Sequence, residues 1–139
     1  MEIKKRILAL DVGDKRIGVA VSDPFHLFAS EVGVVYRDND KKALAEIEVI
    51  CEKYQVETIV SGLPYNMDGS LGAQAEKTIN FVDRLSEKYN VIYRDERLTS
   101  FEAEEILKKE KKKYTKNKGL VDVKSACLIL QSYLGEQNE

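Results

Sequence analysis

The stretch Ile7-Leu8-Ala9-Leu10-Asp11-Val12-Gly13-Asp14-Lys15-Arg16-Ile17-Gly18-Val19-Ala20-Val21-Ser22-Asp23 decides the reading of this chain. Ile7 to Leu10 is continuously apolar, the pattern of a strand buried on both faces, and it stops at Asp11-Val12-Gly13-Asp14. Ile17, Val19 and Val21 then alternate with smaller or polar residues, which predicts a second strand ending at Ser22-Asp23-Pro24. The short turn between the two predicts an antiparallel hairpin. Asp11 thus closes a wholly apolar strand, where a carboxylate must be solvated, hydrogen-bonded or neutralised by a cation.

Working outward, Val32 to Tyr36 reads as a third strand, and Asp40 to Tyr54 as a helix with Leu44, Ile47, Ile50 and Cys51 on one face. Thr58 to Val60 is a short strand, followed by the turn-rich loop Gly62–Ser70. A helix over about 72–89 carries Ala75, Ile79, Val82 and Leu85 on one stripe. Val91 to Tyr93 is the last strand and ends at Arg94-Asp95-Glu96-Arg97. Thr99 with Glu102 is a capping-box pattern for a helix starting near Ser100. A final helix over about 120–134 buries Val123, Cys127, Leu130 and Leu134. There is no internal repeat or linker, so residues 1–139 read as one domain. The fold class is α/β: a mixed five-stranded sheet flanked by helices, with parallel pairing where helical crossovers intervene. This order resembles that of a ribonuclease H-like fold.

Composition narrows the function. Hydrophobic residues make up 43% and charged residues 33%, ordinary for a globular domain. No apolar run approaches the roughly 20 residues needed to span a bilayer, and Met1-Glu2-Ile3-Lys4-Lys5-Arg6 leads straight into a strand without a signal-peptide core. These features predict a cytoplasmic protein with no membrane partner. Cys51 and Cys127 lie far apart in apolar helical patterns and read as buried, inert thiols. His26, the sole histidine, reads as a packed loop residue, which leaves little basis for histidine-dependent nucleophilic catalysis. Residues 108–118 carry seven lysines (108, 109, 111, 112, 113, 116 and 118) against Glu110, a local charge of +6, so the remainder stands at −8. A flexible basic segment on an acidic body suits phosphate binding. A solvated loop that binds nothing is an equal reading of the charge alone.

Three acids fall at the ends of elements that the topology makes neighbours: Asp11, Glu96 after the last strand, and Asp122 within the apolar stripe Ala126, Ile129, Tyr133. Carboxylates drawn together repel one another unless a cation joins them. Mg²⁺ or Mn²⁺ in such an oxygen site can activate water and stabilise the leaving oxygen of a phosphodiester. Each acid also has an ordinary reading: Asp11 as a turn opener, Asp122 as a first-turn helix acid, Glu96 as a surface partner of Arg94 or Arg97.

The motifs bear a family resemblance. Asp11 to Asp23, then Gly62-Leu63-Pro64 with Asn66-Met67-Asp68-Gly69-Ser70, then Asp95-Glu96-Arg97-Leu98-Thr99-Ser100, resemble the successive motifs of the YqgF/RuvX proteins. Val121-Asp122 with Ala126, Ile129-Leu130-Gln131 and Tyr133-Leu134 resembles their last helix. The resemblance implies a ribonuclease H-like fold related to the RuvC resolvases. It implies a nuclease of small-subunit ribosomal RNA precursor maturation, described in parallel as a Holliday junction resolvase. By this carry-over Asp11, Glu96 and Asp122 are the catalytic, metal-binding acids. Lys15, Arg16, Asn66 and Arg97 join Lys108, Lys109, Lys111, Lys112, Lys113, Lys116 and Lys118 as candidate nucleic-acid contacts. The second acid departs from the RuvC layout: it follows the fifth strand rather than the fourth, which ends Ser61-Gly62-Leu63-Pro64 without a carboxylate. That leaves open whether Asp95 or Glu96 fills the role, and how many metal ions bind.

Two other classes remain at this stage. An actin-like ATPase or sugar kinase shares the opening Asp-Gly hairpin but closes two such domains around its nucleotide. A non-catalytic nucleic-acid-binding module could use the same scaffold. The choice of precursor rRNA or branched DNA, and of monomer or weak dimer, is likewise open.

Overall fold

The computed structural model describes residues 3–96, 105, 108, 109 and 118–138. β1 (Arg6–Val12) and β2 (Arg16–Ser22) form the hairpin read from the sequence, with Leu10 opposite Val19 and Asp11 opposite Gly18. β3 (Ala29–Tyr36) adds antiparallel to β2 at one edge. β4 (Val56–Leu63) pairs parallel with β1, and β5 (Asn90–Asp95) pairs parallel with β4. The sheet order is β3-β2-β1-β4-β5. β1 is therefore central and covered on both faces, which is why its apolar run does not alternate.

Helices α1 (Asp40–Tyr54) and α2 (Ala73–Val82) cover one face, and α3 (Lys118–Gln137) covers the other. Asn39 caps α1 by accepting from the Lys42 amide at 3.1 Å, and Gln55 ends it in a left-handed conformation at φ 55°. On the first face, Leu8, Leu10, Ile17, Val19 and Ile59 meet Ile47, Phe81 and Leu85. On the second, Ile7, Ala9, Ala20 and Val60 meet Ala126, Ile129, Leu130 and Leu134. Each fully buried large side chain contributes roughly 2 kcal/mol, and the two faces set the strand alternation that aims every site residue.

Several boundaries differ from the sequence reading. β4, expected over Thr58–Val60, runs Val56–Leu63 because its pairing with β1 and β5 carries the ladder outward at both ends. β3 begins at Ala29 rather than Val32, because an edge strand can continue its ladder through polar residues. α2 stops at Val82 and a 3-10 turn, Asp83–Leu85, still delivers Leu85 to the core. The chain must then reach Asn90, which pairs with Thr58, so the expected helix to residue 89 is cut short. α3 is longer than expected and takes in Lys118. The helix expected near Ser100 lies outside the described residues, as do Arg97, Lys111, Lys112, Lys113 and Lys116.

Candidate active site

Alternation along the strands sorts the acids. In β1 the residues Ile7 and Ala9 face α3, so Asp11 does too. In β5 the residues Val91 and Tyr93 pack with the α1–α2 face, whereas Ile92 packs with α3. Asp95 therefore follows Tyr93 away from the α3 side, and Glu96 is the acid that reaches Asp11. Their side chains are hydrogen-bonded, a contact that favours the protonated form of Asp11.

The two-strand offset that separates β5 from β1 is bridged by a glycine. Strands lie about 4.8 Å apart, so Glu96 must cross β4 to reach Asp11. It does so over Gly62: a Cβ there would stand 2.7 Å from Glu96 Oε1 and 2.8 Å from Ile129 Cδ1. On the other side of Asp11, its pairing partner Gly18 admits α3. A Cβ at Gly18 would overlap the carbonyl oxygen of Asp122, so only a bare backbone lets the start of α3 descend onto β2. One turn beyond Asp122, Ser125 donates a hydrogen bond to Asp11.

The electrostatics follow from this crowding. Burial, then the charges of Glu96 and Asp122, push the Asp11 carboxyl from its ordinary 3.8 up to about 7, against the lowering effect of Ser125. Asp122 is turned toward Arg16, whose Nε lies 2.8 Å from Oδ2, and both side chains are partly exposed. Positive charge is thus supplied to Asp122 by a guanidinium. Among the described residues no three His, Cys, Asp or Glu side chains stand as a ready metal cage. The donor set itself is all oxygen at a sheet edge, the chemistry that suits Mg²⁺ or Mn²⁺.

The other sequence-derived candidates are dispersed. Lys15 is exposed in the β1–β2 turn. Arg16, expected to contact nucleic acid, is engaged by Asp122. Asn66 is exposed and shapes its own loop, donating to Ser70 Oγ at 3.1 Å, while its amide donates to the Ser70 carbonyl at 3.0 Å. Asp68 accepts from both the amide and hydroxyl of Ser70. The Asn66 and Ser70 amides are thus occupied within the loop. Gly62 belongs to β4 and the acid site, not to that loop. Lys108 and Lys109 are exposed on helical backbone, with Lys108 3.6 Å from Glu105.

Gly18, Ser125 and Arg94 were missed in the sequence. Ser125 had a legible signal, since it lies three residues after Asp122 on the same helical stripe. Arg94 is buried and paired with Glu136 at 2.6 and 2.8 Å and with Ser132 at 2.7 Å, which ties the end of α3 to β5. Cys51 and Cys127 are free; Cys51 is buried as expected but Cys127 only partly so, and burial pushes their thiols up to about 12 and about 11. His26 packs in its loop, with Nε2 2.6 Å from the Lys5 carbonyl oxygen. No described helix is long and apolar enough to cross a membrane.

A hairpin-led mixed sheet between helices, with acids from a central strand, an outer strand and the last helix meeting at one edge, defines a ribonuclease H-like domain. Two solved structures share this fold. The Fowlpox virus resolvase in complex with Holliday junction DNA has a TM-score of 0.59 at 15% identity, covering 96% of this chain and 99% of that one. T. thermophilus RuvC in complex with a Holliday junction substrate has a TM-score of 0.53 at 11% identity, covering 94% and 95%. The chain belongs to the RuvX family, described as Holliday junction resolvase, which it matches over residues 5–136. A relative from Synechococcus elongatus, named "Putative pre-16S rRNA nuclease", is 47% identical over 134 residues, 95% of this chain and 90% of that protein. One of the same name from Clostridium botulinum is 44% identical over 131 residues, 93% and 96% of the two chains.

Proposed function

We propose that this chain is a metal-dependent endonuclease that hydrolyses phosphodiester bonds in 5′-end maturation of the 16S ribosomal RNA precursor. The observation that carries the reading is the convergence of Glu96 and Asp122 on Asp11, whose carboxyl is pushed up to about 7 by burial first and by those two charges next. The relatives' shared name supports the RNA substrate. The family description supports a second reading, action on Holliday junction DNA.

Asp11, between the other two acids, would be the central ligand, with Glu96 and Asp122 completing the site. Mg²⁺ or Mn²⁺ held there would supply a Lewis acid that activates water and steadies the leaving oxygen. Ser125 orients Asp11 by its hydrogen bond. Arg16 keeps Asp122 at the same edge and adds positive charge where a phosphate backbone would arrive. Lys15, Asn66, Arg97 and the lysines of 108–118 would hold that backbone without reading bases. Residues 1–139 act as one domain, and all three acids come from one copy, so hydrolysis itself needs no dimer. Free thiols at Cys51 and Cys127 support a reducing, cytoplasmic setting.

The test incubates the protein and an Asp11→Asn variant with labelled 16S precursor RNA, single strands and four-way DNA junctions, with Mg²⁺ or Mn²⁺ and with chelator. Metal-dependent cleavage of the precursor, lost in the variant, is the expected outcome. Cleavage that survives the variant or the chelator refutes the assignment, and preference for the junction selects the second reading.

A further inference from the structure

We infer that a groove at the opposite end of β1 is a second nucleic-acid contact, which grips a single-stranded phosphodiester segment through Lys4, Arg6 and Lys53. This rests on the reading of the chain as a nucleic-acid enzyme, but it uses none of the acid-site residues.

The groove has a volume of about 430 Å³, and its cationic wall is formed by Lys4, Arg6 and Lys53 around Tyr54, with Ile3 and Pro24 as apolar neighbours. No carboxylate among the described residues lines it. Among the described residues none of the three cations has an ion-pair partner, whereas Arg16, Arg37 and Arg94 each answer an acid. Two of the three are held in place. Arg6 lies 5.7 Å and Lys53 5.3 Å from the Tyr54 ring centroid, a cation–π arrangement that restrains long side chains before any ligand arrives. Restrained cations lose less entropy on binding an anion than freely rotating ones.

One charge has a local use. Lys53 is in the last turn of α1, where a cation offsets the carbonyl end of the helix. Lys4 and Arg6 come from a separate segment, anchored by the Lys4 amide donating to the Pro24 carbonyl at 2.8 Å and the Arg6 amide to the Gln55 carbonyl at 3.2 Å. They have no such duty, and they turn a capped helix end into a net cationic surface. Ile3, 77% exposed at the rim, and Pro24 offer apolar surface to a sugar or base beside the phosphates. Five residues of strand at about 3.3 Å each put Arg6 roughly 17 Å from Asp11, so the groove would hold a substrate flank rather than the bond that is cut.

The experiment measures binding of a labelled 20-nucleotide single-stranded RNA by fluorescence anisotropy, in chelator, over a range of salt. It compares the wild type, a Lys4→Gln/Lys53→Gln double variant, and Lys77→Gln as a control for lost charge elsewhere. Losing two phosphate contacts lowers the log–log salt slope by about 1.4 and the affinity on the order of tenfold, and the control lowers neither comparably. An unchanged slope in the double variant, or an equal fall in the control, overturns the proposal. Titration with inorganic phosphate alone supplies a further arm: saturation of the Tyr54 ring resonance by phosphate without any response to RNA would make this a simple anion site and also overturn it. Cleavage of precursor RNA in metal is scored separately. Absent wild-type cleavage with an intact groove effect defeats the nuclease reading alone, and the reverse pattern defeats the groove alone.

Discussion

Replacing Asp11 by Asn should stabilise the metal-free protein at neutral and alkaline pH while abolishing cleavage. In the folded chain the Asp11 carboxyl is pushed up to about 7 from its ordinary 3.8 by burial and by Glu96 and Asp122. Below about pH 4 the group is protonated whether the chain is folded or not, and it contributes nothing. Between pH 4 and 7 the unfolded chain gives up this proton while the folded chain keeps it. The folded state then binds more protons, so stability falls as pH rises. Above pH 7 the whole penalty is present, at most roughly 4 kcal/mol, since a tenfold change in the ionisation constant is about 1.4 kcal/mol. An amide keeps the size of the side chain and can donate to Glu96 as the protonated acid does, so it should recover roughly 2–4 kcal/mol at pH 8. Urea denaturation in chelator at pH 5, 6, 7 and 8 measures this. The wild type should lose stability across the series, the variant should stay nearly level, and the two should converge toward pH 4. Added Mg²⁺ or Mn²⁺ should then raise the wild type selectively. Parallel pH profiles for the two proteins, or a variant less stable at pH 8, would refute the reasoning.

Further outcomes follow from the neighbouring geometry. Gly62→Ala places a Cβ 2.7 Å from Glu96 Oε1, a side-chain end that can move. It should therefore cost only about 1 kcal/mol of stability but displace Glu96, which carbon-detected NMR would register as a lower Asp11 pKa alongside weakened cleavage. Gly18→Ala meets the backbone of Asp122 instead and should destabilise by about 1–3 kcal/mol or more. Thermal denaturation checks it, and an unchanged midpoint would contradict the close approach of α3. The Arg94 guanidinium holds the Glu136 carboxyl below the usual carboxylate range. The stability this gives is present above the ordinary glutamate pKa and is lost as pH falls through the depressed folded value. Glu136→Gln should therefore lower the melting midpoint at pH 7, and in a calorimetric series the gap from wild type should narrow as pH falls below the ordinary glutamate range.

Much of the fold was legible because its signals are local. The unbroken run Ile7–Leu10 marks a strand covered on both sides, and the alternation of Ile17, Val19 and Val21 with a short turn marks the hairpin. The end of α2 was not legible. No Gly or Pro lies between Val82 and Tyr89, and the helix stops because β5 must start opposite Thr58. The start of β3 escaped for a related reason: edge pairing with β2 extends through Ser30 and Glu31, which carry no hydrophobic signal.

The site divides in the same way. By itself the amino-acid order established that Asp11 ends a buried strand, that Asp122 interrupts an apolar helical stripe, and that acids close the last strand. Local chemistry suffices for that, since a carboxylate next to an apolar run conflicts with its surroundings wherever the rest of the chain goes. Tertiary structure alone placed Glu96 rather than Asp95 on the Asp11 side, because the faces of β5 have no identity until α3 covers one of them. It alone gave Gly62 and Gly18 their purpose, since a missing side chain means something only when another segment fills its space. It also joined Arg16 to Asp122 in an ion pair, a partner 106 residues away that no local pattern could have named.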